Sequence, residues 1–197
     1  MAIDSYMIFV RYGDKPLEAE SQVVLGSGPP EPLATDGGFD FSKYVKGGNV
    51  FEVEEYSFDV EQTLNIGSQS KGAGAGKITF NPFSISRKID KSSPTFFEMA
   101  CSGTAFQNVF LCLRKGAGAD TNQSGQIFLR FDFKLVAVKT ISWSHDEVSP
   151  KEEVTFEYGG LQVRYCVQNP NGSMGKVIGT GWNLVQNKSD VTITPIS

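Results

Sequence analysis

The sequence contains one histidine, His145, and three cysteines, Cys101, Cys112 and Cys166, none of them in a CxxC arrangement. One imidazole excludes a multi-histidine metal site, and no thiolate pair stands in for it. No metal or cofactor is expected. An odd number of cysteines in apolar local settings reads as free, buried thiols that behave as small hydrophobes. Excess positive charge is lacking too: 18 Lys and Arg against 22 Asp and Glu leave a formal charge of −4. That builds no field to collect phosphates, so nucleic acid is not an expected partner. No stretch approaches the roughly 18 apolar residues that cross a bilayer, and Met1 to Arg11 lacks a basic leader with a long apolar core. The expectation is a protein made in the cytoplasm, without membrane insertion, whose export would use no cleavable signal peptide.

What is abundant points to strands. Fifteen Phe, six Tyr and 21 Gly in 197 residues favour strands and turns over a helical bundle. A chain of this length with 40% hydrophobic residues fills one core, so residues 1–197 are expected to form a single domain.

The strongest local signals lie between Lys77 and Lys115. Ile78, Phe80, Phe83, Ile85 and Ile89 have strand-like spacing. Ser93 then reads as a helix cap, with Pro94 at the first helical position, where no N–H is needed. Phe97, Ala100 and Cys101 mark the expected buried face of a short helical plug, and Gly103 a left-handed stop. From Phe106 to Leu113 the chain returns to a strand that is apolar on both faces, so both faces require cover.

Elsewhere, Ser5 to Arg11 reads as a first strand, ended by Gly13-Asp14. Residues 26–49, punctuated by Gly28-Pro29-Pro30, Asp36-Gly37-Gly38 and Gly47-Gly48, read as a long inserted loop. Phe39, Phe41 and Tyr44 suggest that it packs on a neighbouring subunit or folds back onto its own barrel; both readings stay open. Val50 to Leu64 is strand-like, but Glu52 and Glu54 fall on the apolar phase, which calls for a bulge or a switch of face. Residues 65–77 form a Gly-rich, basic stretch joining two strands, the reading of a projecting hairpin. Ile127, Leu129, Phe131, Phe133 and Leu135 alternate with Phe128, Arg130, Asp132 and Lys134, giving a core face and a mostly wet one. Glu153 to Tyr158 and Leu161 to Val167 are further strands, with a bend or bulge expected at Gly159-Gly160. Trp182 reads as an anchor packed on the barrel, before a polar tail.

Catalytic patterns fail on detail. Glu52, Glu54, Glu55, Asp59 and Glu61 lie along an open strand, whereas acid–base chemistry needs two carboxyls converging on a dry pocket. A phosphate loop needs Gly at the position of Lys71, Ser or Thr at that of Ile78, and a helix after it. Ser144, His145 and Asp146 are sequence neighbours, and a triad draws its members from separate places. An enzyme is therefore not expected.

Taken together, Gly76-Lys77-Ile78, Lys88-Ile89-Asp90-Lys91-Ser92-Ser93-Pro94, Met99-Ala100-Cys101-Ser102-Gly103 and Leu113-Arg114-Lys115-Gly116-Ala117-Gly118 resemble the Hcp family, haemolysin-coregulated proteins that form the tube of bacterial type VI secretion systems. Gly179-Thr180-Gly181-Trp182-Asn183 resembles the family's closing segment. The likeness covers about residues 1–12 and 50–187, and the 26–49 insertion is its main departure. It implies a mainly β fold, an antiparallel β-barrel of two packed sheets with one short α-helix and extended loops. It also implies a homo-hexameric ring, stacking of rings into a tube, contact with sheath, spike and effectors, and release through that apparatus. On the same resemblance the stacking contact falls to the 65–77 loop, with Asn65, Ser68, Ser70, Lys71, Gly72, Gly74, Gly76 and Lys77. The reading from another class is a monomeric binding module that uses the 26–49 loop.

Overall fold

The computed structural model describes residues 3–25, 33, 48–63, 78–115, 126–145, 147–169 and 174–189. In chain order the strands are β1 (Ile3–Arg11), β2 (Lys15–Pro16), β3 (Phe51–Glu52), β4 (Glu55–Ser57), β5 (Val60–Gln62) and β6 (Ile78–Phe80). After β7 (Phe83–Lys88) comes helix α1 (Ser93–Ser102), followed by β8 (Ala105–Lys115), β9 (Ile127–His145), β10 (Pro150–Gln168) and β11 (Met174–Asn183). The expected mainly β, antiparallel architecture with one short helix is borne out.

Nine strands form one sheet in the order β2-β1-β8-β9-β10-β7-β4, with β3 added to β1 and β11 to β10. The short β5–β6 pair forms a second sheet, packed on the first through Phe80 stacked on Tyr158 at 5.4 Å. No continuous ladder closes the barrel among the described residues. The seam is bridged by residues 51–57: β3 pairs with β1 and β4 with β7. Between them the Val53 N–H donates to the Ser5 carbonyl (3.1 Å) and the Glu54 N–H to the Ser86 carbonyl (2.9 Å). The break that Glu52 and Glu54 require thus falls where the chain passes from one end of the sheet to the other.

The concave side holds the main core, in which Phe9 contacts Phe51, Phe96, Phe106 and Phe156 at ring distances of 5.0 to 5.6 Å. A second cluster covers the opposite face: Tyr6, Ile8, Val10, Phe110 and Cys112 pack with Leu25, Leu33 and Val50. The outer face of β8 is therefore covered by the chain's own early segment. The base of the insertion is clamped there, with the Ala19 N–H on the Gly48 carbonyl (2.6 Å) and the Gly48 N–H on the Ser21 carbonyl (2.9 Å). Phe39, Phe41 and Tyr44 lie outside the described residues.

Strand β9 departs from simple alternation. Phe131 and Phe133 face the main core, but so do Val136 and Val138, and then Ile141. The first change of phase occurs at Leu135, whose φ is +50°. The second is the register shift between Thr155 and Phe156 on β10. Leu135 is thus a pivot rather than the last member of the alternating row. At this level β10 stays in register through Tyr158↔Val136 and Gly160↔Lys134, so the bend expected at Gly159-Gly160 is carried by the partner strand. The expected wet face of β9 is also corrected: Arg130 and Asp132 are buried, because the second apolar cluster lies over them.

Candidate functional site

The helix starts one residue earlier than the sequence indicates and presents another face. Ser92 occupies the cap position without a side-chain cap bond, Ser93 is the first helical residue, and Pro94 follows it. The first turn is held by the Ser92 carbonyl, which accepts from the Thr95 and Phe96 N–H groups (2.9 and 3.2 Å). The buried residues are Ser93, Phe96 and Met99. Phe97 is 52% exposed and Cys101 is exposed as well, so neither belongs to the plug. Two adjacent phenylalanines allow either of two faces by periodicity, and the ring cluster around Phe9 takes Phe96. The helix ends as expected, on Gly103 at φ +70°, with its N–H on the Met99 carbonyl (3.0 Å).

The Ser93 hydroxyl serves an ionic hub instead of a cap. Arg87 on β7 and Glu152 on β10 are buried, and the Arg87 Nε donates to Glu152 Oε1 (3.1 Å). Arg87 Nη2 donates to Asp90 Oδ1 (2.6 Å), Ser92 Oγ (2.9 Å) and Ser93 Oγ (3.1 Å). Ser93 Oγ accepts from the Asp90 N–H as well (3.3 Å) and donates to Glu152 Oε1 (3.2 Å), which uses its one donor and both acceptor sites. Trp143 Nε1 donates to the other Glu152 oxygen at 2.8 Å. The Arg87 guanidinium lies 5.1 Å from the Phe51 and Phe96 ring centres. Burial pushes the Asp90 carboxyl up, but hydrogen bonds from Ser92 and Arg87 and the Arg87 charge outweigh this and hold it below its ordinary value. The hub ties β7, β9, β10 and the helix start together. Its polar atoms are occupied by one another, so it offers no free nucleophile or base.

A second buried hub lies on the outer face. Arg130 forks onto Asp132, Nε to Oδ1 at 2.6 Å and Nη2 to Oδ2 at 2.8 Å, and its Nη1 donates to the Leu33 carbonyl. Arg164 Nε lies 3.5 Å from Asp132 Oδ2. Nearby, Lys134 Nζ donates to Asn108 Oδ1 at 2.6 Å, and burial pushes the Lys134 ammonium down. The sequence reading missed both hubs. The signal for the second was an Arg-x-Asp pair on one strand face beside a neighbour that is apolar on both faces.

The carboxylates of residues 50–64 do not converge. Glu52 accepts from Ser21 Oγ (2.7 Å), Glu54 pairs with Lys151 (3.5 Å), and Asp59 accepts from Asn81 Nδ2 (2.6 Å). His145 ends β9 opposite Pro150, so Ser144 and His145 are strand residues. Among the described residues no group of three or more His, Cys, Asp or Glu is placed to hold a metal, and no helix is long and apolar enough to cross a membrane.

The predicted stacking residues Asn65, Ser68, Ser70, Lys71, Gly72, Gly74, Gly76 and Lys77 lie outside the described residues. Their flanks pair antiparallel, Val60↔Phe80 to Gln62↔Ile78. The stretch therefore leaves one strand of a hairpin and enters the other, which is incompatible with a phosphate loop running into a helix. Exposed apolar side chains remain on the barrel's outside, notably Phe97 against Trp143 at 6.0 Å, and Val148.

Residues 43–165 match the family model described as type VI secretion system effector, Hcp. Protein hcp1 of Pseudomonas aeruginosa is 32% identical over 112 residues, which are 56% of this chain and 68% of that protein. A solved structure described as a type six secretion system protein superposes with a TM-score of 0.69 at 22% identity, covering 95% of this chain and 99% of the other. Hcp1 from Salmonella typhimurium superposes at 0.58 with 20% identity over 96% of this chain and all of that one. The structures speak for the fold; the family model and the Pseudomonas relative speak for descent. On those two matches, this chain belongs to the Hcp family of type VI secretion tube and effector proteins.

Proposed function

We propose that this chain is a structural tube subunit, forming six-membered rings that stack into the inner tube of a type VI apparatus and leave the cell with it. The observation that carries this reading is the match to Hcp proteins, in sequence over residues 43–165 and in fold over the whole length of a solved Hcp chain. A closed ring from one repeated heterologous contact is the assembly such a subunit supports. The apolar outer face of β8 does not argue for a ring, because Leu25, Leu33 and Val50 cover that face within the subunit. Phe97, Trp143 and Val148 remain as solvent-facing apolar groups available to a partner. The antiparallel β5–β6 pair supports the 65–77 loop as the projecting part that meets the next ring. Sheath, spike and lumenal effectors are the further partners of this reading, which includes no catalytic step. Sedimentation and negative-stain imaging of the purified protein test it. Rings of six are expected, and a species of 21.5 kDa alone across micromolar concentrations would sink the proposal.

A further inference from the structure

The chain has five arginines, and four of them are matched to carboxylates. Arg87 lies on Asp90 and Glu152, Arg114 on Asp4 (3.6 Å), and Arg130 and Arg164 on Asp132 (2.6 and 3.5 Å). Arg11 is the exception: its Nε is buried without an acceptor, and among the described residues no carboxylate forms an ion pair with it. A buried cationic group in that state is costly until an anion meets it. The neighbouring strand adds to the cost. Arg11 stands directly opposite Lys15 in the β1–β2 pair, where like charges repel. Opposed residues share a face, and alternation along β1 makes it the face of Met7 and Phe9, which turn into the main core.

Both side chains line an open cavity of 360 Å³, shared with Glu18, Lys91, Ser92 and Thr95. Glu18 is the one carboxylate of its lining, and it is engaged with Lys91 Nζ at 3.2 Å. Three cations against one anion leave two positive charges here, in a chain whose total is −4. The helix start supplies no spare backbone donor. The Ser92 N–H is on Asp90 Oδ1 (2.8 Å), the Lys91 N–H on Glu20 Oε1 (3.1 Å) and the Thr95 N–H on the Ser92 carbonyl (2.9 Å). Recognition therefore falls to side chains. We infer that this cavity binds a small phosphate monoester, held by the Arg11 guanidinium and the Lys15 ammonium, with Lys91 adding charge. An arginine fork suits an oxyanion that presents two oxygens. A phosphate monoester carries about −1.5 to −2 near neutral pH, which matches the two unbalanced charges, whereas a carboxylate leaves one over. The oxyanion alone does not fill a cavity of small-molecule size, so there is room for the group it esterifies. The site is complete within one subunit and needs no ring.

Titration calorimetry of the full chain tests this, with glycerol 2-phosphate, inorganic phosphate and acetate compared at constant ionic strength near neutral pH. Glycerol 2-phosphate is expected to saturate one site per chain and to bind at least as tightly as inorganic phosphate, and acetate not to saturate. Arg11→Gln and Lys15→Gln are each expected to weaken glycerol 2-phosphate at least about tenfold. Glu18→Gln, which removes the opposing carboxylate, is expected to tighten it about threefold. Lys139→Gln, whose ammonium pairs with Glu157 outside the cavity, is expected to change nothing. Lys15 is exposed, so its variant decides the matter even if Arg11→Gln fails to fold. Equal losses in Lys15→Gln and Lys139→Gln would mean attraction to surface charge only. Acetate binding as tightly would make this a carboxylate site, binding of inorganic phosphate alone would exclude the ester, and no saturation would mean no site; each overturns the inference.

Discussion

Arg87 and Glu152, sixty-five residues apart in sequence, meet in the interior with Nε 3.1 Å from Oε1. Removing one partner of such a pair leaves the other charge buried and uncompensated. Arg87→Met is therefore expected to cost about 3–5 kcal/mol in urea unfolding. A loss under about 1 kcal/mol would show the hub to be solvated. The hub also sets an acid limit. The Asp90 carboxyl is held below its ordinary 3.8, so its contribution is complete above that value and is lost as pH falls through the lower, folded value. Asp90→Asn is expected to flatten this part of the stability–pH curve.

The helix face is open to a paired substitution. Phe96 is fully buried among Phe9, Phe51, Phe106 and Phe156, whereas Phe97 is half-exposed against Trp143. Phe96→Ala is expected to cost about 3–5 kcal/mol and Phe97→Ala less than about 1. Comparable losses would contradict the orientation of the helix. In an assembled ring, Phe97→Ala would report on contact between copies.

Leu135 holds a left-handed conformation in the middle of a long strand. For a side chain branched at Cβ that conformation adds strain of about 1–2 kcal/mol, and for glycine none. Leu135→Gly is expected to leave the protein more stable than Leu135→Val, although valine retains more apolar surface. The reverse order in thermal unfolding would refute the pivot.

None of the three thiols is in a disulfide, but they differ in access: Cys101 is exposed, while Cys112 and Cys166 are buried. This corrects the expectation of three buried thiols. One equivalent of a maleimide is expected to react with the native protein, and three after denaturation. Rapid labelling of all three in the native state would show that the outer cluster opens.

In the proposed assembly, shortening the loop between β5 and β6 would separate ring formation from ring stacking. A Gly-Ala-Gly-Ala-Gly sequence has little apolar surface to bury and a high conformational entropy cost of ordering, which is why the proposal assigns this stretch to a contact with the adjoining ring. Shortening Ser68 to Gly76 to a two-residue turn is expected to leave fold and ring intact and to abolish tubes and secretion. Long tubes from the shortened protein, or its collapse to monomers, would remove this loop from the stacking contact.

Much of this architecture is local chemistry and legible in sequence. Alternation marks the central strands, Pro94 and Gly103 bracket the helix to within a residue, and the misplaced phase of Glu52 and Glu54 announces the break at the seam. These features depend on backbone preferences that a few neighbouring residues set for themselves. Other decisions belong to partners distant in the chain. Phe96 and Phe97 are equivalent by periodicity until the rings around Phe9 select one. Arg130 and Asp132 look like a wet strand face until Leu25, Leu33 and Val50 fold across it. Arg87 finds Glu152 because β7 and β10 become neighbours, with Arg87 directly opposite Glu152 in their register. Burial depends on what lies across a strand, and strand order is a property of the whole chain. Sequence alone determined which segments extend and where they turn; tertiary packing decided which polar groups had to find one another out of water.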